Sequence, residues 1–370
     1  MTRRTIIITV IALSLILAGS LPALAQADMA AALDYLRTQQ NADGGFGTGM
    51  SPESTAGSTA DAVLAIVAAG GDLATFDQNG NTPITYLAAQ AAAVDNAGDL
   101  SKLIMAAVAI GENPRNLGGV DNVARLEGMA GADGRIGTDM DTFFSHLLAV
   151  LAMASVERPL PDGAVTAITA AQQEAGGWAW DGSAATAADT NTTAFAVQAL
   201  AEAGEADGDG VAAALDYYRA IHNEDGGWPY QSPSDFGTDT DANSTAVTIQ
   251  ALIAAGEDPS GEVWTTEAGT TPIAALEAFQ NESGAFAWQA AIPDDNLLAT
   301  VQALPALAGE AFPLATMDVG AASEAPAPET APETGGALPN PGLVLALSGL
   351  AVAGSGALLG WRKRADNTRG

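Results

Sequence analysis

The sequence predicts an all-α protein, a closed barrel of about six helix pairs. Three observations carry that expectation. Apolar runs end at Gly70, Gly111, Gly204, Gly256 and Gly309, with one more near Ser155, so the chain repeats at intervals of 41 to 53 residues. Self-similarity at such a period marks a helical array. The runs themselves, Thr59–Ala69, Leu100–Ile110, Thr142–Ala154, Thr192–Ala203, Ser244–Ala255 and Asn296–Ala308, are nearly all apolar, which calls for burial on most sides. The stretches between them, best seen in Met29–Gln40, Val211–Ile221 and Pro272–Gln280, are amphipathic and fit an outer layer with one wet face. A linear solenoid would leave one side of each inner helix in water. These helices have no polar side to offer.

The ends of the repeats support the same reading. Glycine after a last helical residue supplies the left-handed cap. Pro83 and Pro272 sit near helix starts, where a missing N–H is harmless. Apolar residues make up 48% of the chain and aromatics only 5%, a balance of small side chains that suits close helix packing. The absence of cysteine excludes disulfides, thiolate zinc sites, thioesters and thiol nucleophiles.

The two ends of the chain differ from the repeats. Residues 1–25 are expected to be a secretory signal, with Arg3 and Arg4, the apolar run Ile6–Leu17, and the small-residue site Ala23-Leu24-Ala25. Residues 26–313 hold the array. Residues 314–340 repeat Ala-Pro-Glu-Thr and are expected to form an acidic, Pro-rich stalk. Residues 341–361 are uncharged and long enough to span a bilayer, and residues 362–370 carry Arg362, Lys363 and Arg364. That order places the array outside the cell, anchored to the membrane through the C-terminal helix. Leu338-Pro339-Asn340-Pro341-Gly342 with its basic tail resembles a cell-wall sorting signal, with Pro341 in place of the family's Thr. Without both ends, seven Lys and Arg face 43 Asp and Glu, a net charge of −36. A field of that sign repels nucleic acid and excludes it as a partner.

Four turns read alike. They are Gln40 to Gly44 and Phe46, Gln173 to Gly176 and Trp178, His222 to Gly226 and Trp228, and Gln280 to Gly284 and Phe286. Glutamine can bond freed carbonyls at a helix end, glycine makes the turn, and the ring covers it. The pattern is similar to the QW motif of the terpenoid cyclases. The array thus resembles the alpha/alpha toroid shared by squalene-hopene cyclases, protein prenyltransferase beta subunits and cobalamin carriers. The resemblance covers roughly Met29 to Pro313 and implies the six-pair toroid. It implies function less firmly, because one fold hosts many functions.

A second recurring feature precedes the inner helices: Asp139-Met140-Asp141-Thr142, Asp189-Thr190-Asn191-Thr192, Asp241-Ala242-Asn243-Ser244 and Asp294-Asp295-Asn296. These are helix-capping residues. The resemblance also implies that such ends line the mouth of a central cavity. Asp139, Asp141, Asp189, Asn191, Asp239, Asp241, Asn243 and Asp295 are therefore candidates for a polar rim. Converging carboxylates there could bind a cation or donate a proton. Gln198, Gln250 and Gln302, which recur on successive inner helices, are candidate ligand contacts, or else bond one another.

Known chemistries of the family can be tested on the residues. Cyclases that protonate an alkene use Asp-x-Asp-Asp, and the nearest matches, Asp239-Thr240-Asp241-Ala242 and Asp139-Met140-Asp141-Thr142, both lack the last Asp. The inner helices offer few rings, chiefly Phe143, Phe144 and Phe195, to stabilise carbocations. The prenyltransferase zinc site needs a cysteine, and the two histidines, His146 and His222, fall in different parts of the repeat. His146 lies in an apolar helix and is expected to be a satisfied core histidine. No catalytic residue, metal or cofactor is therefore expected. The reading is a toroid that binds a small or lipid-like ligand. The alternatives are a cyclase-like enzyme and a surface protein-interaction module.

Overall fold

The computed structural model describes residues 27–235 and 237–321 of the 370-residue chain. Six inner helices are α2 (Ala56–Ala68), α4 (Ala97–Ala109), α6 (Phe143–Ser155), α8 (Thr190–Leu200), α10 (Ala242–Ala254) and α12 (Leu297–Leu307). Six outer helices precede them: α1 (Met29–Gln39), α3 (Pro83–Gln90), α5 (Asn122–Glu127), α7 (Ala164–Ala170), α9 (Asp209–Ile221) and α11 (Pro272–Glu277). Each inner helix packs on the next, and α12 packs back on α2, so the ring closes. Closure buries the apolar surface that the sequence had no polar side to cover.

The helices start two or three residues before the apolar runs in several repeats, because polar residues fill the first turn. Thr55, Asn96, Asp189, Asp241 and Asn296 each accept from the backbone N–H three residues on. Thr82 and Thr271 do the same ahead of Pro83 and Pro272. At the far ends, Gly70, Gly111, Gly204, Gly256 and Gly309 all have positive φ. Glu157, at φ 52°, holds the same place after α6 and fills the gap in the glycine series.

Helix is not the whole account. In the sixth repeat, β1 (Phe286–Gln289) pairs antiparallel with β2 (Ile292–Asn296), where an all-α fold was expected. Other repeats keep a single bridge at that place, Phe46 to Thr55 and Trp178 to Asp189. The pairing ties each turn aromatic to the cap of its own inner helix.

The expected stalk boundary is also corrected. Leu314 to Gly320 lie on the toroid. Phe312 N donates to Gln198 Oε1 (2.9 Å), Met317 N donates to Ser155 O (2.8 Å), and Arg115 Nη2 donates to Gly320 O (2.8 Å). Phe312, Leu314, Met317 and Val319 pack against the core. Their spacing follows no regular period, so sequence pattern alone left them out. The expected signal, the rest of the stalk, the anchor and the basic tail lie outside the described residues. No helix among the described residues is long and apolar enough to cross a membrane.

Candidate functional site

The turns define the architecture of the site. Gln40 Nε2 donates to Gly44 O (3.0 Å) and Phe76 O (3.1 Å), and Gln280 Nε2 donates to Gly284 O (3.1 Å) and Asp28 O (2.9 Å). Each glutamine thus closes its own turn and reaches the neighbouring repeat. In the fourth repeat this is done by Gln172, which donates to Gly176 O (2.8 Å) and Gly210 O (2.7 Å). The assignment to Gln173 is therefore corrected. The glutamine must stand four residues before the glycine, and Gln173 instead donates to Ser183 O and Thr186 O. His222 stands at that spacing before Gly226, and its ring stacks on Trp228 with centroids 4.4 Å apart.

The turn aromatics anchor to the inner helices by one repeated bond. The N–H groups of Phe46, Trp178, Trp228 and Phe286 donate to the hydroxyls of Thr59, Thr193, Thr245 and Thr300. The same bond exposes a fifth turn that sequence reading missed. Gly134 has φ +84°, and Ile136 N donates to His146 Nδ1 (3.0 Å). Ile136 stands for the aromatic, Ala130 for the glutamine and His146 for the threonine, so no motif residue but the glycine survives. His146 Nε2 donates to Ala164 O (3.1 Å), so both ring nitrogens are used in the core. Burial lowers its pKa and keeps the ring neutral.

A partly open cavity of about 110 Å³ lies within the inner ring. One residue from each inner helix lines it at the same register, six positions after the cap: Asp61, Lys102, Leu148, Phe195, Val247 and Gln302. Asp61 and Lys102 were not singled out from the sequence. Their signal was present, since Lys102 is the one lysine between the leader and the basic tail and sits in an apolar helix. Lys102 Nζ lies 2.7 Å from Asp61 Oδ2. Burial opposes the charge on Lys102, and the Asp61 carboxylate outweighs it, holding the amine above its ordinary pKa.

The three glutamines separate. Gln250 lies nine residues after its cap and lines the cavity, and Gln302 lies six after its own and also lines it. Gln198 shares the register of Gln250 but is spent on Phe312 N and the C-terminal segment. The equivalence of Gln302 is corrected: it lies six residues after its cap, where Gln198 and Gln250 lie nine after theirs. Asn243 Nδ2 donates to Gln302 Oε1 (2.6 Å).

The expected carboxylate rim does not converge. Asp189 and Asp241 are buried caps whose two oxygens are taken by Thr192 and by Ser244. Asp141 Oδ1 accepts from Ala97 N (3.0 Å), at the start of the neighbouring α4. Burial raises the Asp141 pKa, and the N–H groups of Thr138 and Ala97 outweigh that and leave it lowered. Asp139 and Asp239 are exposed. The alignment of Asp139 with Asp189 and Asp241 is corrected, because Thr142 holds the cap position of α6. Asp295, also exposed, accepts from Asn281 Nδ2 and Ser283 Oγ (2.8 Å each) in its turn. Asn191 Oδ1 is buried without a partner. Among the described residues no group of three or more His, Asp and Glu is placed to hold a metal ion.

These positions give two expected results. Asp189→Ala or Asp241→Ala should each cost about 1 kcal/mol in urea unfolding, and Asp139→Ala less than about 0.5 kcal/mol. The second concerns pH. Burial raises Asp189 and Asp241 to about 6, against hydrogen bonds that lower them. The folded state then holds these protons more tightly than the unfolded chain, whose aspartates titrate at about 3.9. The stability they contribute is complete below about pH 4 and lost as pH rises through about 6. Asp189→Asn with Asp241→Asn, which keeps both caps, should flatten the fall in unfolding free energy between about pH 4 and 7 by on the order of 2 kcal/mol per site.

The closed ring, the turn glycines and the central cavity define a toroid of paired helices. The prenyltransferase alpha-alpha toroid domain matches residues 2–155 and 139–291, and the chain belongs to that family. None of the curated proteins searched matches the sequence. Among solved structures, a protein from Actinoplanes is 16% identical with a TM-score of 0.52, over 76% of this chain and 98% of its own. The type II terpene cyclase MstE from Scytonema is 14% identical with a TM-score of 0.53, over 76% and 96%. A UGL variant with dGlcA-Glc-Rha-Glc is 14% identical with a TM-score of 0.53, over 76% and 94%. At these identities the likeness is one of fold.

Proposed function

We propose that the chain is an exported binding protein, held at the membrane by residues 341–361, whose toroid takes a small or lipid-like molecule into its central cavity without turning it over. The observation that carries this is the contrast between the cavity wall and the positions of the carboxylates. The wall is apolar with amide groups, and its one acid, Asp61, is already paired with Lys102. Asp241, the centre of the nearest acid motif, caps α10 with both oxygens bonded and is not part of that wall. A general acid must lie within reach of the atom it protonates. At about 110 Å³ the cavity suits the small end of the proposed range, since a dry engineered cavity of about 150 Å³ holds benzene.

The test is to incubate the purified protein with squalene and shorter polyprenyl compounds and analyse the extract by mass spectrometry. Recovery of unchanged compound is expected. A cyclised product that disappears in Asp241→Asn would overturn the reading. One observation favours a surface-interaction role. Trp180, Tyr230 and Trp288, each two residues after a turn aromatic, are 49%, 47% and 38% exposed. Loss of cell-surface partner binding in a triple serine variant, with cavity binding intact, would support that second role.

A further inference from the structure

Five loops stand at one end of the ring, where the inner helices start. They are residues 47–54, 137–141, 179–188, 229–240 and 287–295, each joining a turn to the cap of the next inner helix. Among the described residues eight large apolar side chains are exposed, and six of them stand in these loops. Met50, Met140, Trp180, Tyr230 and Trp288 come one from each loop, and Ile292 is a second from the last. The two methionines are 94% and 91% exposed. Apolar side chains scattered singly over a surface are ordinary, but gathered at one end they mark a face that meets something.

The three rings are held on fixed backbone. Trp180 O accepts from Phe144 N (3.1 Å) at the start of α6, and Tyr230 O accepts from Thr190 N (2.8 Å) at the start of α8. Gln289, next to Trp288, bridges to Asp241, the cap of α10. These inner helices follow one another around the ring, so the rings lie along an arc. Aromatic contacts held in advance lose little entropy when a partner arrives. The returning C-terminal segment lies at the opposite end, where Met317 N donates to Ser155 O, and so is not what covers this face.

Charge decides the partner. The five loops contain eight Asp and Glu and no Lys or Arg. Partial burial raises the Tyr230 hydroxyl to about 12, and the Asp189 and Asp241 carboxylates add to the rise. Nucleic acid and anionic lipid carry the wrong sign for this field. Cations suit it twice, through the carboxylates and through the negative faces of the rings. Methionine side chains bend to fit varied apolar partners.

Taking up the surface role raised above, we propose that this end of the toroid docks a basic amphipathic polypeptide segment. Its apolar face covers the methionines and the rings, and its Lys or Arg side chains meet the carboxylates.

The experiment measures fluorescence anisotropy of a labelled Leu/Lys amphipathic helix of about 18 residues, titrated with the full chain. It should bind at least about tenfold more tightly than a scrambled peptide of the same composition, or than a Leu/Glu helix with the same apolar face. Trp180→Ser, Tyr230→Ser and Trp288→Ser together leave the charge unchanged and should weaken binding at least about tenfold. Asp235→Asn, Asp239→Asn and Asp294→Asn together keep the rings and should weaken it severalfold, with a smaller dependence on salt. This second variant decides if the first does not fold. Equal binding of the scrambled peptide, or undiminished binding to both variants, would reduce the attraction to diffuse charge and overturn the proposal. Equal binding of the Leu/Glu helix would overturn the basic partner. So would binding of cellohexaose alone, lost in the serine variant, which would make the face a glycan site. If no peptide binds but cell-surface binding is lost in the serine variant, the surface role stands and the basic partner falls.

Discussion

Trp228→Ala is expected to lower the unfolding free energy by roughly 3–5 kcal/mol. Trp228 is fully buried, and its indole N–H donates to Tyr218 O (3.0 Å) at the end of the outer α9. Its own backbone N–H donates to Thr245 of the inner α10 (3.1 Å). The ring packs edge to face on Tyr218, stacks with His222 and touches Trp264. Truncation would therefore leave a large cavity between the two layers and strand a carbonyl. Chemical denaturation followed by far-UV circular dichroism reads the effect. A loss below about 1 kcal/mol would mean that the turns do not bind the layers together. Trp228→Phe should recover much of the packing and lose the indole bond.

Gly284→Val is expected to cost at least about 3 kcal/mol, because this turn closes the ring on itself. Gly284 has φ +87°, a conformation that costs a β-branched residue dearly. A Cβ there would lie 2.2 Å from the backbone of Ala31 in α1. The same joint is held by Asp28 N donating to Gln280 Oε1 (2.7 Å). The substitution must push the first helix off the last turn. Gly256→Ala is the control: it also has positive φ, but nothing lies within 4 Å of its Cβ position, so only about 1 kcal/mol is expected. Equal losses at the two glycines would show that backbone conformation alone matters and that the contact does not.

The ring was legible in the sequence because burial on all sides writes itself as uninterrupted apolar runs, and the glycines after them mark each end. The turns were legible where glutamine and an aromatic survive. The turn at Gly134 was not, because Ala130, Ile136 and His146 each perform a motif role with a different residue type. Of the candidate residues, Gln250 and Gln302 line the cavity, and the carboxylates lie at another height. Asp189 and Asp241 were visible as polar repeats, yet polar repeats at helix starts answer first to unsatisfied N–H groups. The cavity wall lies six residues deeper, and its register appears only when caps are aligned from the bonds they make. Asp61 and Lys102 stand 41 residues apart, the interval from Gly70 to Gly111, so aligning those two repeats would have brought the pair to one register. Phe312 reaches the cavity from a segment without periodicity, so only the folded chain reveals it as part of the wall.

Native mass spectrometry of the full chain, equilibrated with a five-carbon prenyl alcohol small enough for a cavity of about 110 Å³, tests the central claim most directly. The account predicts one bound molecule per chain, recovered with unchanged mass, and none on a Leu148→Trp variant whose indole fills the cavity. Binding that persists in that variant, no complex with wild type, or a released molecule of altered mass would contradict it.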